Sequence, residues 1–392
     1  MLNLLKGTVF NNLVLEPGHD LGEIAERAKR EGLEVTNGTA LPRSVTLVEG
    51  EWPGVKLTES GGIDRASAGP TGVPWVTSNG WKVRLASRLH PGTEIWLRVT
   101  APRAGMPAGA YQVAVADASA HGGRWLVTLD DGLASGIGNK SERALAIWRK
   151  LTGAVDFFAA HKSWSEYFPR AVIGIISGFS GSNEFMSQEI LNLVARTNQQ
   201  YRILPKTGIA ASSFKGLKAI LYTDDQPPSP ELRKQALEFV ESGGMLITGP
   251  KWGKLPGQPT GGGEHPRYDL RILGKGRIAV ARPDFEDPYL IANDSLVLIS
   301  HRHELLRFWN GGAVGSYFTM RLDGKEGVVQ ILFYAGARFG KPTVRVAGIY
   351  RKAELWTLDH VGARSVEMEV GKDAVELHLP LASPYAALQL GI

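Results

Sequence analysis

The sequence predicts an α/β protein in three successive units. These are a reduced (β/α) barrel-like unit over 1–165, a doubly wound α/β unit over 170–312 and an antiparallel β-sandwich over 313–392. Three observations predict it. Before residue 165, short apolar runs alternate with amphipathic helical stretches across short links, the pattern of parallel strands with helical crossovers. Between 170 and 250 the alternation tightens into four buried runs and two helices. After Gly274 several runs alternate apolar and polar residues, which suits a half-exposed antiparallel sheet.

In chain order, 12–16 (NLVLE), 33–37 (LEVTN) and 44–48 (SVTLV) read as strands. Between the first two, Leu21, Ile24, Ala25 and Ala28 recur at helical spacing until Gly32 stops the helix. Residues 58–72 are rich in Gly and Ser and read as a loop before a short strand at 73–76. Further strands fall at 94–99 and 124–129, a helix at 110–120, and a long helix at 141–161 with Ser141 at its N-cap. About six strands and four helices stand where a full barrel has eight of each, so the barrel is expected to be reduced.

Residues 162–169 read as a link. The second unit then follows with strands at 171–176 (AVIGII), 201–204 (YRIL), 217–222 (LKAILY) and 245–248 (MLIT). Ile190, Leu191, Val194 and Ala195 share one face of its first helix. Ser229 and Pro230 open its second helix, and Gly243-Gly244 close it. The result is a flavodoxin-like sheet with its loops at the carboxyl edge.

Three stretches carry a family resemblance: AVIGIISGFSGSNEF (171–185), LKAILYTDDQPPSPELRKQALEFVESGGMLITGP (217–250), and the end strands VRVAGIYRKAELWTL (344–358) with YAALQL (385–390). In this order they resemble the bacterial family 42-type β-galactosidases and related glycoside hydrolases, over roughly residues 90–392. The resemblance implies a middle unit with the class I glutamine amidotransferase fold, lacking its nucleophile and serving trimerisation. The chain has no Cys, which excludes glutaminase chemistry. Enzymes of that group use two Glu residues after two barrel strands. Residues 1–165 hold no Asn-Glu pair, and Asn183-Glu184 lies in the second unit, so the family's catalytic residues are not carried over.

Composition narrows the partners. The net charge of +5 comes from 44 basic and 39 acidic residues without a basic block, so nucleic acid is not an expected partner. Without Cys there are no disulfides and no thiolate metal sites. No apolar run is long enough to span a bilayer, and the first residues lack a signal-peptide pattern. The expectation is a soluble chain, cytoplasmic or exported with a signal absent from this sequence. No cofactor and no metal are predicted: His301 and His303 at i,i+2 on a strand would share a face, but no third ligand is evident. Gly178–Ser182 resembles an anion loop without the full spacing, and reads first as a turn. A Ser180, His301, Asp225 triad lacks the G-x-S-x-G elbow.

Glycoside hydrolysis needs two carboxyl groups across the bond, and barrels place such groups at the carboxyl ends of strands. Glu16, Glu49 with Glu51, and Asp130 with Asp131 meet that condition. The catalytic candidates are Asp130, Asp131, Glu16 and Glu51. Each has a structural alternative: Asp130 as a cap, Asp131 with Gly132 as a turn, Glu16 in a salt bridge or helix cap near His19 and Asp20, Glu51 in a loop. Trp52, Trp75, Asn79 and Trp81 form a candidate sugar-binding wall, with loop packing as the alternative. The expected function is a carbohydrate-active protein, a glycoside hydrolase acting through two carboxyl groups. The alternative is a degenerate relative that binds sugar or serves assembly. A carbohydrate ligand is the expected partner, and a homo-oligomer, a trimer, is implied by the resemblance.

Overall fold

The structure is a computed structural model that describes residues 2–16, 22–59, 66–68, 75–100, 106–260, 265–282, 287–335, 341–380 and 383–392. It is a mixed α/β molecule. Strand Asn12–Leu15 pairs in parallel with Glu34–Asn37 across the helix Gly22–Arg30. Val45–Glu49, Glu94–Arg98 and Arg124–Leu126 form a second parallel sheet, with helices Gly80–Leu89 and Ala110–Ser119 in its crossovers. Among the described residues no closed barrel forms: the unit is reduced to open parallel sheets of two and three strands. The reason lies in the pairing: Arg124–Leu126 has a strand partner on one side only. A separate antiparallel sheet, Gly54–Glu59 with Ala66–Ala68 and Trp75–Thr77, uses part of the stretch expected to be a loop.

The second unit has strand order Tyr201–Pro205, Ile173–Ser177, Ala219–Tyr222, Met245–Thr248, Gly276–Ala281, all parallel. Chain order 2-1-3-4-5 is the flavodoxin-like arrangement. The fifth strand was expected among the antiparallel runs. Its Ile278 and Ala279 are fully buried, as a strand covered on both faces requires. Tyr268–Leu273 then adds antiparallel at the edge. The helix Pro288–Ile299 was not read from the sequence, although Asp287 caps it by accepting from Tyr289 N at 2.8 Å and Pro288 opens it.

The end of the chain is a sandwich of two antiparallel sheets. One holds Leu306–Trp309, Thr343–Ala347, Ala374–His378 and Glu367–Val370. The other holds Arg364–Ser365, Lys352–Thr357, Tyr385–Gly391, Glu326–Phe333, Val314–Met320 and Phe168–Pro169. The expected link therefore supplies an edge strand, the position where Pro169 costs no ladder bond. Phe318, Val329, Ile331, Val344, Val375 and Leu388 fill the space between the sheets. Each such side chain contributes roughly 1.5–3 kcal/mol over an exposed one.

Glu326–Phe333 is buried on both faces, because its second face packs on the helix Ala110–Ser119. Its one polar residue beyond the first turn, Gln330, is used there. Its amide donates to Ala120 O at 2.7 Å, and its carbonyl oxygen accepts from Tyr385 OH at 2.8 Å. Arg84 ties the first unit to the second, donating to Tyr201 O at 2.6 Å with its guanidinium over the Tyr201 and Tyr317 rings. No helix among the described residues is long and apolar enough to cross a membrane.

Candidate functional site

Parallel strands with helical crossovers put their functional loops at the carboxyl ends. In the first unit four strands deliver residues to that edge: Glu16 follows Asn12–Leu15, Gly38 follows Glu34–Asn37, Glu49 ends Val45–Glu49 and Arg98 ends Glu94–Arg98. Glu49 and Arg98 are register partners. The Arg98 guanidinium sits in the middle. Its Nη2 donates to Gly38 O at 3.3 Å, its Nη1 lies 3.4 Å from Glu49 Oε1 and its Nε 3.8 Å from Glu16 Oε1. Arg98 keeps 28% of its side chain exposed, against 62% for Glu16 and 67% for Glu49. Two strand-end carboxylates are thus gathered round one cation in a site open to solvent.

Asp130 is elsewhere. It is buried and caps the helix Asp131–Gly138, accepting from Leu133 N at 3.0 Å. Tyr111 OH donates to its other oxygen at 2.5 Å. Burial pushes the Asp130 carboxyl up, but bonds from Tyr111 and from the backbone N–H groups of Leu133, Gly132 and Met106 outweigh it and hold the group below the usual carboxylate range. Burial first, and then Asp130, push Tyr111 up to about 12. Asp131 is exposed in the first turn of the same helix, where its charge suits the helix dipole. The capping alternative thus describes Asp130, while Asp131 and Gly132, read as a turn, open the helix itself.

Glu51 faces the second unit. Its charge acts on Arg196, whose guanidinium burial lowers to about 10 against the opposing pull of Glu189 and Glu51. The Glu51 backbone is held by Asn79, whose Oδ1 accepts from Glu51 N at 2.9 Å while its Nδ2 donates to Glu51 O at 2.8 Å. Asn79 is fully buried and turns its remaining donors inward: both its N–H and Nδ2 donate to Asp117 Oδ2 at 2.8 Å. Tyr334 OH donates to Asp117 Oδ1 at 2.7 Å. Asn79 is therefore spent on structure. Trp81 is core, packed with Leu85, Ile173 and Tyr201. Trp52 is half-buried and meets Tyr111 and Trp125 edge-on, at 5.4 and 5.7 Å between centroids. The Trp75 side chain lies outside the described residues. The structure thus brings no sugar-facing wall together from Trp52, Asn79 and Trp81.

Sequence reading missed Arg98 and Asp117. Arg98 carries a usable signal, a cation at the end of a strand whose neighbour Val45–Glu49 ends in an acid. Asp117 carries a weaker one, a lone acid inside the apolar helix AYQVAVADAS. Burial pushes Asp117 up to about 6, with the bonds from Tyr334 and Asn79 opposing. His121, whose Nδ1 lies 3.0 Å from Asp117 O, is pushed down to about 4 by burial and then by the charge of Arg84. The fit is close: a Cβ on Gly80 would stand 2.3 Å from the His121 ring.

At the switch point of the second sheet the ligand position is filled from within. Asp224 accepts from Gly178 N at 3.0 Å, pairs with Lys206 Nζ at 2.8 Å and accepts from Ser177 Oγ. The loop that resembles an anion site, and reads first as a turn, thus holds the chain's own carboxylate. Ser180 Oγ donates to Gly178 O, and the His301 imidazole pairs with Glu304 at 2.6 Å, so Ser180, His301 and Asp225 form no triad. His301–His303 is a 3₁₀ turn and not a strand, which removes the shared face that a metal pair would need. Among the described residues no group of three or more potential metal-ligating side chains occurs.

Comparison of the sequence with protein-family profiles and with curated proteins finds no match. Solved structures do match. The α-L-fucosidase isoenzyme 2 from Paenibacillus thiaminolyticus superposes with TM-score 0.52 at 10% identity, over 80% of this chain and 62% of its own. A rhamnosidase from Novosphingobium sp. PP1Y gives TM-score 0.53 at 13% identity, over 94% of this chain and 38% of its own. A GH42 beta-galactosidase from G. stearothermophilus gives TM-score 0.48 at 11% identity, over 80% and 56%. The chain spans less than two thirds of each of these proteins. At 10 and 13% identity, what the chain shares with the fucosidase and the rhamnosidase is the fold.

Proposed function

We propose that the protein binds carbohydrate on a glycoside-hydrolase-like scaffold, at the mouth formed by Arg98, Glu16 and Glu49, and does not cleave it. The observation that carries this reading is the Arg98 guanidinium standing between two exposed carboxylates at the carboxyl ends of parallel strands. Sugar hydroxyls donate to carboxylates and accept from guanidinium N–H groups, so the trio offers both halves of a hydroxyl-recognition set. The shared fold with a fucosidase and a rhamnosidase supports a sugar as the ligand.

Cleavage asks for more. A general acid is kept protonated by an apolar pocket, as in retaining glycosidases. Glu16 and Glu49 instead flank a cation and are mostly exposed. Asp130 is held below the ordinary range inside a helix cap. Hydrolysis by a Glu16 and Glu49 pair is the second reading, favoured by the one guanidinium that both carboxylates approach.

The units of the reading are 1–165, the α/β unit from 170, and the sandwich. The last boundary belongs before Leu306, because Leu306–Trp309 pairs with Thr343–Ala347. A trimer built through the middle unit is part of the same proposal, and sedimentation equilibrium tests it. Calorimetric titration with L-fucose, L-rhamnose, galactose and their oligosaccharides, beside an assay with nitrophenyl glycosides, tests the function. Binding that Arg98→Ala abolishes, without turnover, is the expected result. Turnover that Glu16→Gln or Glu49→Gln removes would replace it with the hydrolase reading. No binding of any sugar would end both.

A further inference from the structure

We infer that the cavity between the strands Asn12–Leu15 and Arg124–Leu126 is a second ligand site, and that it takes an extended hydrocarbon chain with an anionic head, such as a medium-chain carboxylate. This goes beyond the sugar reading and does not depend on it. The cavity has a volume of about 970 Å³. Packed interiors hold few voids larger than a water, and ligand pockets run from roughly 300 to 1,000 Å³.

The lining decides the chemistry. Phe10, Leu126, Ile137, Trp148, Val155 and Phe158 are among its apolar walls, with Phe10 stacked on Trp148 at 5.7 Å. The charged residues in the described lining are Arg27, Arg124 and Lys162, with no Asp or Glu. Arg124 also pairs with Glu94, which lies outside that lining. A sugar would meet mostly hydrocarbon here and no carboxylate to accept from its hydroxyls. An alkyl chain would bury against the walls, and its head would meet charge of one sign only. The entrance has the same order. Ile24 and Arg27 stand one turn apart on the helix Gly22–Arg30 and both face the cavity, and Ile24 is 46% exposed.

Titration of the full chain with dodecanoate below its micelle concentration, read by tryptophan fluorescence and by calorimetry, tests this. Saturable binding is expected, with dodecanol about tenfold weaker, a difference of roughly 1.4 kcal/mol. Arg27→Glu should weaken dodecanoate about tenfold and leave dodecanol unchanged. Ala134→Trp, which places an indole in the cavity from the helix Asp131–Gly138, should weaken both ligands by more than about tenfold. Leu126→Phe reduces the same space from the strand should the first variant fail to fold. No saturable binding, or unchanged affinity in a folded cavity-filling variant, overturns the site. Equal affinity for acid and alcohol that Arg27→Glu does not alter overturns the anionic head.

Discussion

Two clusters of polar side chains in this molecule have opposite surroundings. The Asp117 cluster is fully buried between the first unit and the sandwich, with Asn79 and Tyr334 filling its carboxylate's oxygens. The Arg98 cluster lies open at a strand edge, with its contacts at 3.3 to 3.8 Å. A buried polar group must be satisfied or it destabilises the fold, so the first cluster is organised by folding. An exposed ion pair contributes about 0–1 kcal/mol, so the second is scarcely needed for folding and its groups remain available to a ligand. The difference separates acids that hold the molecule together from acids that could meet a substrate.

The largest expected effect breaks the buried cluster. Asp117→Ala leaves Tyr334 OH and the Asn79 N–H buried without an acceptor. At about 1–3 kcal/mol for each such group, the variant should lose roughly 3–5 kcal/mol, read as a shift of the urea midpoint. A loss below about 1 kcal/mol would mean that water satisfies the site, and that the two clusters differ less than their burial indicates.

The next effect concerns pH. Asp117 is raised from 3.8 to about 6 by burial, so the folded state holds a proton that the unfolded state has released, and stability falls as pH rises between the two values. His121 is lowered from 6.5 to about 4 by burial and then by Arg84, so the unfolded state holds the extra proton, and stability rises with pH over nearly the same window. Each linkage is worth roughly 3 kcal/mol, and the signs oppose. The native protein should therefore show a shallow stability profile between about pH 4 and 6.5. Asp117→Asn should reveal a rising slope and His121→Phe a falling one, both measured by urea unfolding across pH. Parallel slopes in the two variants would show that the groups do not compensate.

The second sheet is legible in the sequence because strands such as AVIGII (171–176) and AILY (219–222) are continuous apolar runs bounded by strong punctuation. Ser229 accepts from Leu232 N and Pro230 opens the helix, as the residues indicate. The fifth strand misled because the arginines at both ends of RIAVAR imitate an exposed, alternating strand. The first unit was harder. Short strands of three to five residues specify no closure, and which edges pair is set by contacts far along the chain. Asp130 showed the signature of a catalytic acid, a carboxyl at the end of an apolar run. The same position before a helix is also where an N-cap belongs, and the distinction lies in Tyr111, nineteen residues away, which aims its hydroxyl at the carboxylate. Glu16 and Glu49 carried the strand-end signal, but the guanidinium that joins them comes from a third strand.

Asp130→Ala sharpens this point with a smaller effect. It removes the cap and leaves Tyr111 OH unpaired, and should cost roughly 2–3 kcal/mol in urea unfolding while leaving sugar binding intact. Asp131→Ala, exposed in the same turn, should change stability by no more than about 0.5 kcal/mol.

The smallest effect on stability is expected where the functional effect is largest. Arg98→Ala removes one carbonyl bond and two long ion pairs to exposed carboxylates, so its unfolding free energy should stay within about 1 kcal/mol of the native value. Glu16 and Glu49 would then repel each other across the vacated site, weakly, because water and salt screen them. Calorimetry should show the carbohydrate heat gone while the urea midpoint barely moves. The charge-preserving variant Arg98→Lys separates charge from geometry. It should screen the two carboxylates as well as arginine does, yet it lacks the planar fork that reaches Gly38 O and both acids together, so binding should recover only in part. Full recovery with lysine would reduce the site to a point charge. A large loss of stability in either variant would place Arg98 with Asp117 among the groups that hold the fold, and would remove the mouth as a ligand site.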